Sequence, residues 1–132
     1  MIVLDASVVI DLLLNIQPQA TAISSRIATS RQLYAPHLID AEVGQVLRRY
    51  ALRGEISSTQ AATALRELQA FPLQRYAHTP LLERAFELRD NVTVYDALYI
   101  VLAEGLGATL LTRDAALAVI PGHSAAVELV PS

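Results

Sequence analysis

The 132-residue chain has no cysteine and no lysine. Without cysteine there are no disulfides, thiolate zinc sites or thiol nucleophiles. Without lysine there is no P-loop phosphate clamp, Schiff-base chemistry or lysine general base. Every cationic side chain apart from histidine is one of ten arginines, set against thirteen Asp and Glu for a formal charge of −3. A strongly cationic coat for non-specific nucleic-acid binding is thereby excluded, but an enzyme with its acids concentrated in one pocket is not. Aromatic residues are few, two Phe and five Tyr. The longest wholly apolar run in a helical pattern, Ala97 to Ala103, is far short of the ~20 residues that span a bilayer. The opening Met1-Ile2-Val3-Leu4-Asp5 lacks the basic stretch of a signal peptide. The expectation is a cytoplasmic protein with no membrane partner.

With 53% apolar residues and no repeat, linker or low-complexity tract, the chain reads as one domain over residues 1–132. Ile2-Val3-Leu4, Leu33-Tyr34-Ala35, Leu73 to Tyr76, Thr109 to Thr112 and Ala126 to Val130 have the short apolar character of strands. Helical patterns fill the gaps. One opens at Asp5-Ala6-Ser7, and Pro18 suits the first turn of a second, carrying Ile23 and Ile27. A third carries Ile39, Val43, Val46, Leu47 and Tyr50 before Arg53-Gly54. Ser57 and Gln60 match a capping box for a fourth, which completes a helical hairpin and stops at Pro72. Thr79-Pro80 reads as an N-cap and first turn, and Thr93 caps a helix that is apolar on all sides until Gly105 and Gly107. Short apolar strands alternating with helices predict a three-layer α/β/α domain around a central parallel sheet of four to five strands.

Asp5 and Asp114 lie just beyond the C-terminal ends of predicted strands, the edge where open parallel sheets bind ligands. Each also precedes a helical pattern, where Asp is a favoured N-cap. Asp96 stands at the head of the all-apolar helix, which draws its carboxylate towards a costly interior. Glu42 is about 100° from Val43, at the margin of the third helix's buried stripe. Four convergent acids would repel one another and raise their own pKa values, so folding would oppose the cluster without cations. Oxygen-only ligation favours hard ions, Mg²⁺ or Mn²⁺, and with them phosphodiester chemistry.

Val3-Leu4-Asp5-Ala6-Ser7, Glu42 after the second strand, Tyr95-Asp96-Ala97-Leu98-Tyr99 running to Leu102-Ala103, and Leu111-Thr112-Arg113-Asp114 together resemble the signature of the PIN domain. The small size and lack of an appended domain resemble the VapC toxins of bacterial toxin–antitoxin pairs. The resemblance implies a Mg²⁺- or Mn²⁺-dependent endoribonuclease that cleaves RNA with a metal-activated water. It makes Asp5, Glu42, Asp96 and Asp114 the metal-binding acids, with Thr112 as the hydroxyl that steadies them. A VapB-type antitoxin and a homodimer are the implied protein partners. Arg113, between Thr112 and Asp114 at the mouth of the site, is a candidate phosphate contact.

Asp40 and Asp11 fall on other helix faces and read as solvated acids. Ser7 reads as a capping residue. His37, His78 and His123 have no ligand spacing and read as exposed loop residues. Tyr95 and Tyr99, four apart, read as core packing. Two other readings are a non-catalytic binding module whose acids are only caps, and a phospho-acceptor signalling domain. The latter lacks the lysine that it would need. An aspartate-nucleophile phosphatase is also disfavoured, because position 7 is Ser where that family places a second acid.

Overall fold

The computed structural model describes residues 1–30 and 32–131. Five strands, β1 (Ile2–Leu4), β2 (Leu33–Pro36), β3 (Leu73–Tyr76), β4 (Thr109–Thr112) and β5 (Ala126–Leu129), form one parallel sheet in the order β3-β2-β1-β4-β5. Helices α1 (Ala6–Leu13), α2 (Gln19–Ile27), α3 (Leu38–Leu52), α4 (Ser58–Ala70), α5 (Leu82–Glu87) and α6 (Val94–Leu106) supply the crossovers. Because the first two crossovers step one way along the sheet and the β3-to-β4 crossover steps back, right-handed connections place α1–α4 on one face and α5–α6 on the other. The predicted three-layer α/β/α architecture is what forms.

Burial follows that layering. β1, β2 and the end of β4 are buried, as strands covered on both faces must be. Helix α6 buries seven consecutive residues, Ala97 to Ala103, and its contacts run to β1, β2, β4, β5 and α5. Each fully buried Ile or Leu there contributes roughly 1.5–3 kcal/mol.

Most predicted boundaries hold, including the Ser57–Gln60 capping box on α4. Helix α6 passes through Gly105 and ends at Gly107, whose φ of +63° provides the left-handed C-terminal turn. Thr79 is not an N-cap. It begins a 3-10 turn, Thr79–Leu81, with Pro80 inside it, and the α-helix proper starts at Leu82. The tighter 3-10 turn is a common way to open such a helix.

The strand order reverses at β1, which has β2 on one side and β4 on the other. The crevice at the C-terminal ends of β1 and β4 is therefore the switch point at which such sheets bind ligands. Asp5 follows β1, and Asp114 lies two residues beyond β4.

Candidate active site

Asp5 caps α1, its Oδ1 accepting hydrogen bonds from the Val8 backbone N–H at 3.2 Å and the Ser7 hydroxyl at 2.6 Å. Its other oxygen accepts from the Thr112 hydroxyl, and Thr112 Oγ1 in turn accepts from the Asp114 N–H at 3.0 Å. The side chain is only 7% exposed. Thr112 therefore joins the ends of β1 and β4 and sets the direction in which the chain carries Asp114. The Asp114 carboxylate caps the following 3-10 turn through the Ala116 N–H and remains exposed.

Glu42, on α3, accepts a 2.5 Å hydrogen bond from the Tyr99 hydroxyl of α6. Asp96, also on α6, is half-buried, and Thr93 caps that helix through the Asp96 backbone N–H. The Thr93 side chain also favours the charged form of the Asp96 carboxylate.

Electrostatics links all four acids. Burial is the main cause raising the pKa of Asp5, of Glu42 and of Asp96. The charge of Asp96 raises Asp5 and Glu42 further, that of Asp5 raises Glu42, and that of Asp114 raises Asp96. Hydrogen bonds from Ser7, Thr112 and Val8 to Asp5, and from Tyr99 to Glu42, oppose the rise. Tyr99 is pushed well above the ordinary tyrosine range, by burial first and then by Glu42, so it stays a protonated donor. Among the described residues, no group of three or more acidic or imidazole side chains is placed to hold a metal ion as it stands. The four acids feel one another's charge near the switch point without forming a ligand shell.

Several side chains depart from expectation. Asp11 is not solvated: it is 1% exposed and pairs with Arg113, whose Nη1 lies 3.0 Å from Oδ1 and 2.9 Å from Oδ2. Helix α1 turns Asp11 under the β4 loop, and burial raises its pKa while Arg113 lowers it. Arg113 is thus anchored by one nitrogen. Asp40 is exposed as expected, held by Arg75. Tyr95 is not in the core. It is 64% exposed and lines a recess with Leu38, Ala41, Glu42, Gln45 and Val46. Tyr99 does pack in the core at 1% exposure but also holds Glu42. His78 is half-buried and accepts from the Leu38 N–H at 2.7 Å, which fixes the start of α3. Ser7 caps nothing. Its hydroxyl donates to Asp5 and accepts from the Arg113 N–H.

The PIN domain family model matches residues 2–122. The chain belongs to the PIN domain family. Among PIN-domain relatives, Ribonuclease VapC1 of Mycobacterium tuberculosis is 45% identical over 129 residues, covering 97% of this chain and 96% of that one. Of solved PIN-like folds, PAE2754 from Pyrobaculum aerophilum aligns with a TM-score of 0.73 at 23% identity, over 96% of this chain and 81% of its own. VapBC2 from Rickettsia felis, solved bound to a DNA fragment from its promoter, aligns with a TM-score of 0.69 at 14% identity over 98% of both chains. At such identities the solved structures attest the PIN fold, and the curated relative attests the VapC branch.

Proposed function

We propose that the protein is a VapC-type toxin, an endoribonuclease that depends on Mg²⁺ or Mn²⁺ and hydrolyses RNA at the pit formed by Asp5, Glu42, Asp96 and Asp114. The observation that carries this reading is the placement of these acids near the sheet's switch point, where burial first and their mutual repulsion second raise the pKa of three of them. No arginine partner of theirs occurs among the described residues. A divalent cation fits that donor set, and because Mg²⁺ retains several waters the carboxylates need not enclose it. When bound, it would activate a water and stabilise charge on the phosphate oxygens. Asp5, Asp96 and Asp114 would hold it with Glu42, while Thr112, Ser7 and Tyr99 keep their donors on the carboxylates. The similarity to Ribonuclease VapC1 supports RNA as the substrate. Without the four acids the formal charge moves from −3 to +1, compatible with a mildly cationic rim for RNA.

The resemblance carries a VapB-type antitoxin with it, supported by the VapBC2 complex as a structural neighbour. The recess formed by Leu38, Ala41, Gln45, Val46 and Tyr95 beside Glu42 suits an amphipathic segment ending in a cation. Of the α3–α4 hairpin, only the α3 arm lines this recess. A homodimer, which the resemblance also implies, belongs to the same reading, and exposed Leu82 and Phe86 on α5 offer an apolar patch for it. The cytoplasm, where RNA and Mg²⁺ are abundant, is the proposed compartment. No helix among the described residues is long and apolar enough to cross a membrane.

A second reading, a binding module whose acids only cap helices, draws support from Asp5 and Asp114, which do cap. One experiment separates the two. Purified protein is incubated with end-labelled cellular RNA in Mg²⁺, in Mn²⁺ or in EDTA, with Asp5→Asn as control. Discrete cuts that need both the metal and Asp5 are expected. Intact RNA under every condition, with no rise in melting temperature on adding metal, would favour the caps.

A further inference from the structure

A trough between α1 and α3 begins beside Glu42. Its first stretch runs past Ala6, Glu42, Val46 and Arg49. Its second runs past Ser7, Asp11, Val46, Arg49, Tyr50 and Arg113. Ala6, Val46 and Arg49 line both stretches, so a strand leaving Glu42 meets the two arginines next. Arg49 is exposed and has no acidic partner among the described residues.

Arg113 is the more ordered of the two. Its backbone N–H is tied to Ser7 Oγ at 3.2 Å, and its Nη1 to Asp11 at 3.0 Å. Its Nε and Nη2 have no intramolecular acceptor among the described residues. Asp11, at 1% exposure, lines the trough, but its charge is offset by the Arg113 guanidinium paired with it. It serves as a fixed counter-charge that holds one edge of the guanidinium and leaves the other free. Two guanidinium charges against one buried carboxylate leave this stretch cationic, next to the stretch lined by Glu42. A polyanion with one phosphate at the pit and the next beyond it matches that alternation, and a guanidinium fork suits phosphate oxygens.

The geometry points to a backbone-phosphate subsite for single-stranded RNA formed by Arg49 and Arg113, with buried Asp11 as the positioning residue that presents Arg113. This subsite rests on the reading of the pit as an RNA-cleaving centre and adds where the strand runs from it. Arg49 and Arg113 hold the phosphate next to the one being cut, and Tyr50 lines the same stretch.

The test measures binding of a short, fluorescein-labelled single-stranded RNA of mixed sequence to the full chain by anisotropy, in EDTA, across a series of KCl concentrations. Arg49→Gln and Arg113→Gln are each expected to weaken binding roughly tenfold at low salt. The salt slope should fall by about 0.7 for each lost contact. Arg66→Gln, on α4 and outside the trough, should lose less. Asp11→Asn should reproduce part of the Arg113→Gln loss and add little to it in the double variant. In Mg²⁺ cleavage assays these three trough variants should raise KM with a smaller change in kcat, a split that general unfolding does not produce. Circular dichroism of each variant guards against misfolding.

Losses no greater than that of Arg66→Gln, or unchanged salt slopes, would overturn the subsite. Retained RNA affinity with lost binding of a polyglutamate peptide would assign the trough to an acidic protein segment instead, and would also overturn it. Binding losses as expected in a wild-type protein that cleaves no RNA would uphold the subsite while refuting the nuclease reading.

Discussion

Tyr99 and Glu42 come from helices 57 positions apart in sequence, and the phenol of one holds the carboxylate of the other at 2.5 Å. Tyr99 lies in the core and Glu42 at the pit, so the bond transmits the rigidity of α6 to a side chain on α3. Buried tyrosine hydroxyls need a partner. Here that partner is one of the proposed catalytic acids.

Tyr99→Phe should therefore fold, at a stability cost of about 0.5–1.5 kcal/mol, while activity or metal affinity falls roughly 10–100-fold, as for other residues that orient metal ligands. Chemical denaturation and a Mg²⁺ titration of cleavage measure the two effects. Unchanged metal dependence would mean that Glu42 needs no fixing.

Thr112→Val preserves shape but removes the hydroxyl between Asp5 and the Asp114 N–H. Leaving those groups unpaired should cost about 1–3 kcal/mol. In urea melts the midpoint should move down with little change in slope.

Asp96→Asn separates capping from ligation, because the cap on α6 uses the residue's backbone N–H. In EDTA the variant should be as stable as wild type or up to ~1 kcal/mol more stable, since the cost of burying the charge and then its repulsion with Asp114 are relieved. Cleavage should fall roughly 10²-fold or more, and the melting shift on adding Mg²⁺ should shrink. A clear loss of stability would show that the carboxylate serves the fold.

The pH dependence of stability has a definite sign. Asp5, Asp11, Glu42 and Asp96 bind their protons more tightly in the fold than at the ordinary 3.8 for Asp or 4.5 for Glu. Their contribution to stability is full below those values and is lost as pH rises through the elevated folded values. Glu104 acts oppositely. Arg84 pulls it down from 4.5 to about 2, so its contribution is present above 4.5 and is lost as pH falls towards 2. In EDTA the melting temperature should rise as neutral solution is acidified towards the ordinary carboxylate range, then fall in stronger acid. Added Mg²⁺ should raise it most at neutral pH. Calorimetric melts across pH check this, and a profile that is flat with and without metal would contradict it.

The order of strands and helices was legible because each strand is a short apolar run and each long helix has a periodic face. Asp5, Asp96 and Asp114 stood out because strand ends and helix starts are places the chain announces. Asp11 and Tyr99 were harder. Both lie inside helices, where angular position marks a face but not what will pack over it. The β4 loop that covers Asp11 arrives from 102 positions away, and no local pattern carries that information. An acid in the otherwise apolar Val8-Val9-Ile10-Asp11-Leu12-Leu13 was the available signal, as was a tyrosine in the all-buried body of α6. Tyr95 was misread for the converse reason: helix spacing pairs it with Tyr99, but α6 buries only from Ala97 onward.

The hydrogen bond from Thr112 to Asp5 closes a loop of 107 positions. Contacts of that span are entropically expensive to form and depend on the rest of the topology. A chain that has made α1–α4 but not β4 carries Asp5 and Glu42 without Thr112 or Asp114. If the four acids form the proposed centre, it is assembled only when the sheet is, and a half-folded copy would leave RNA uncut during that interval of synthesis.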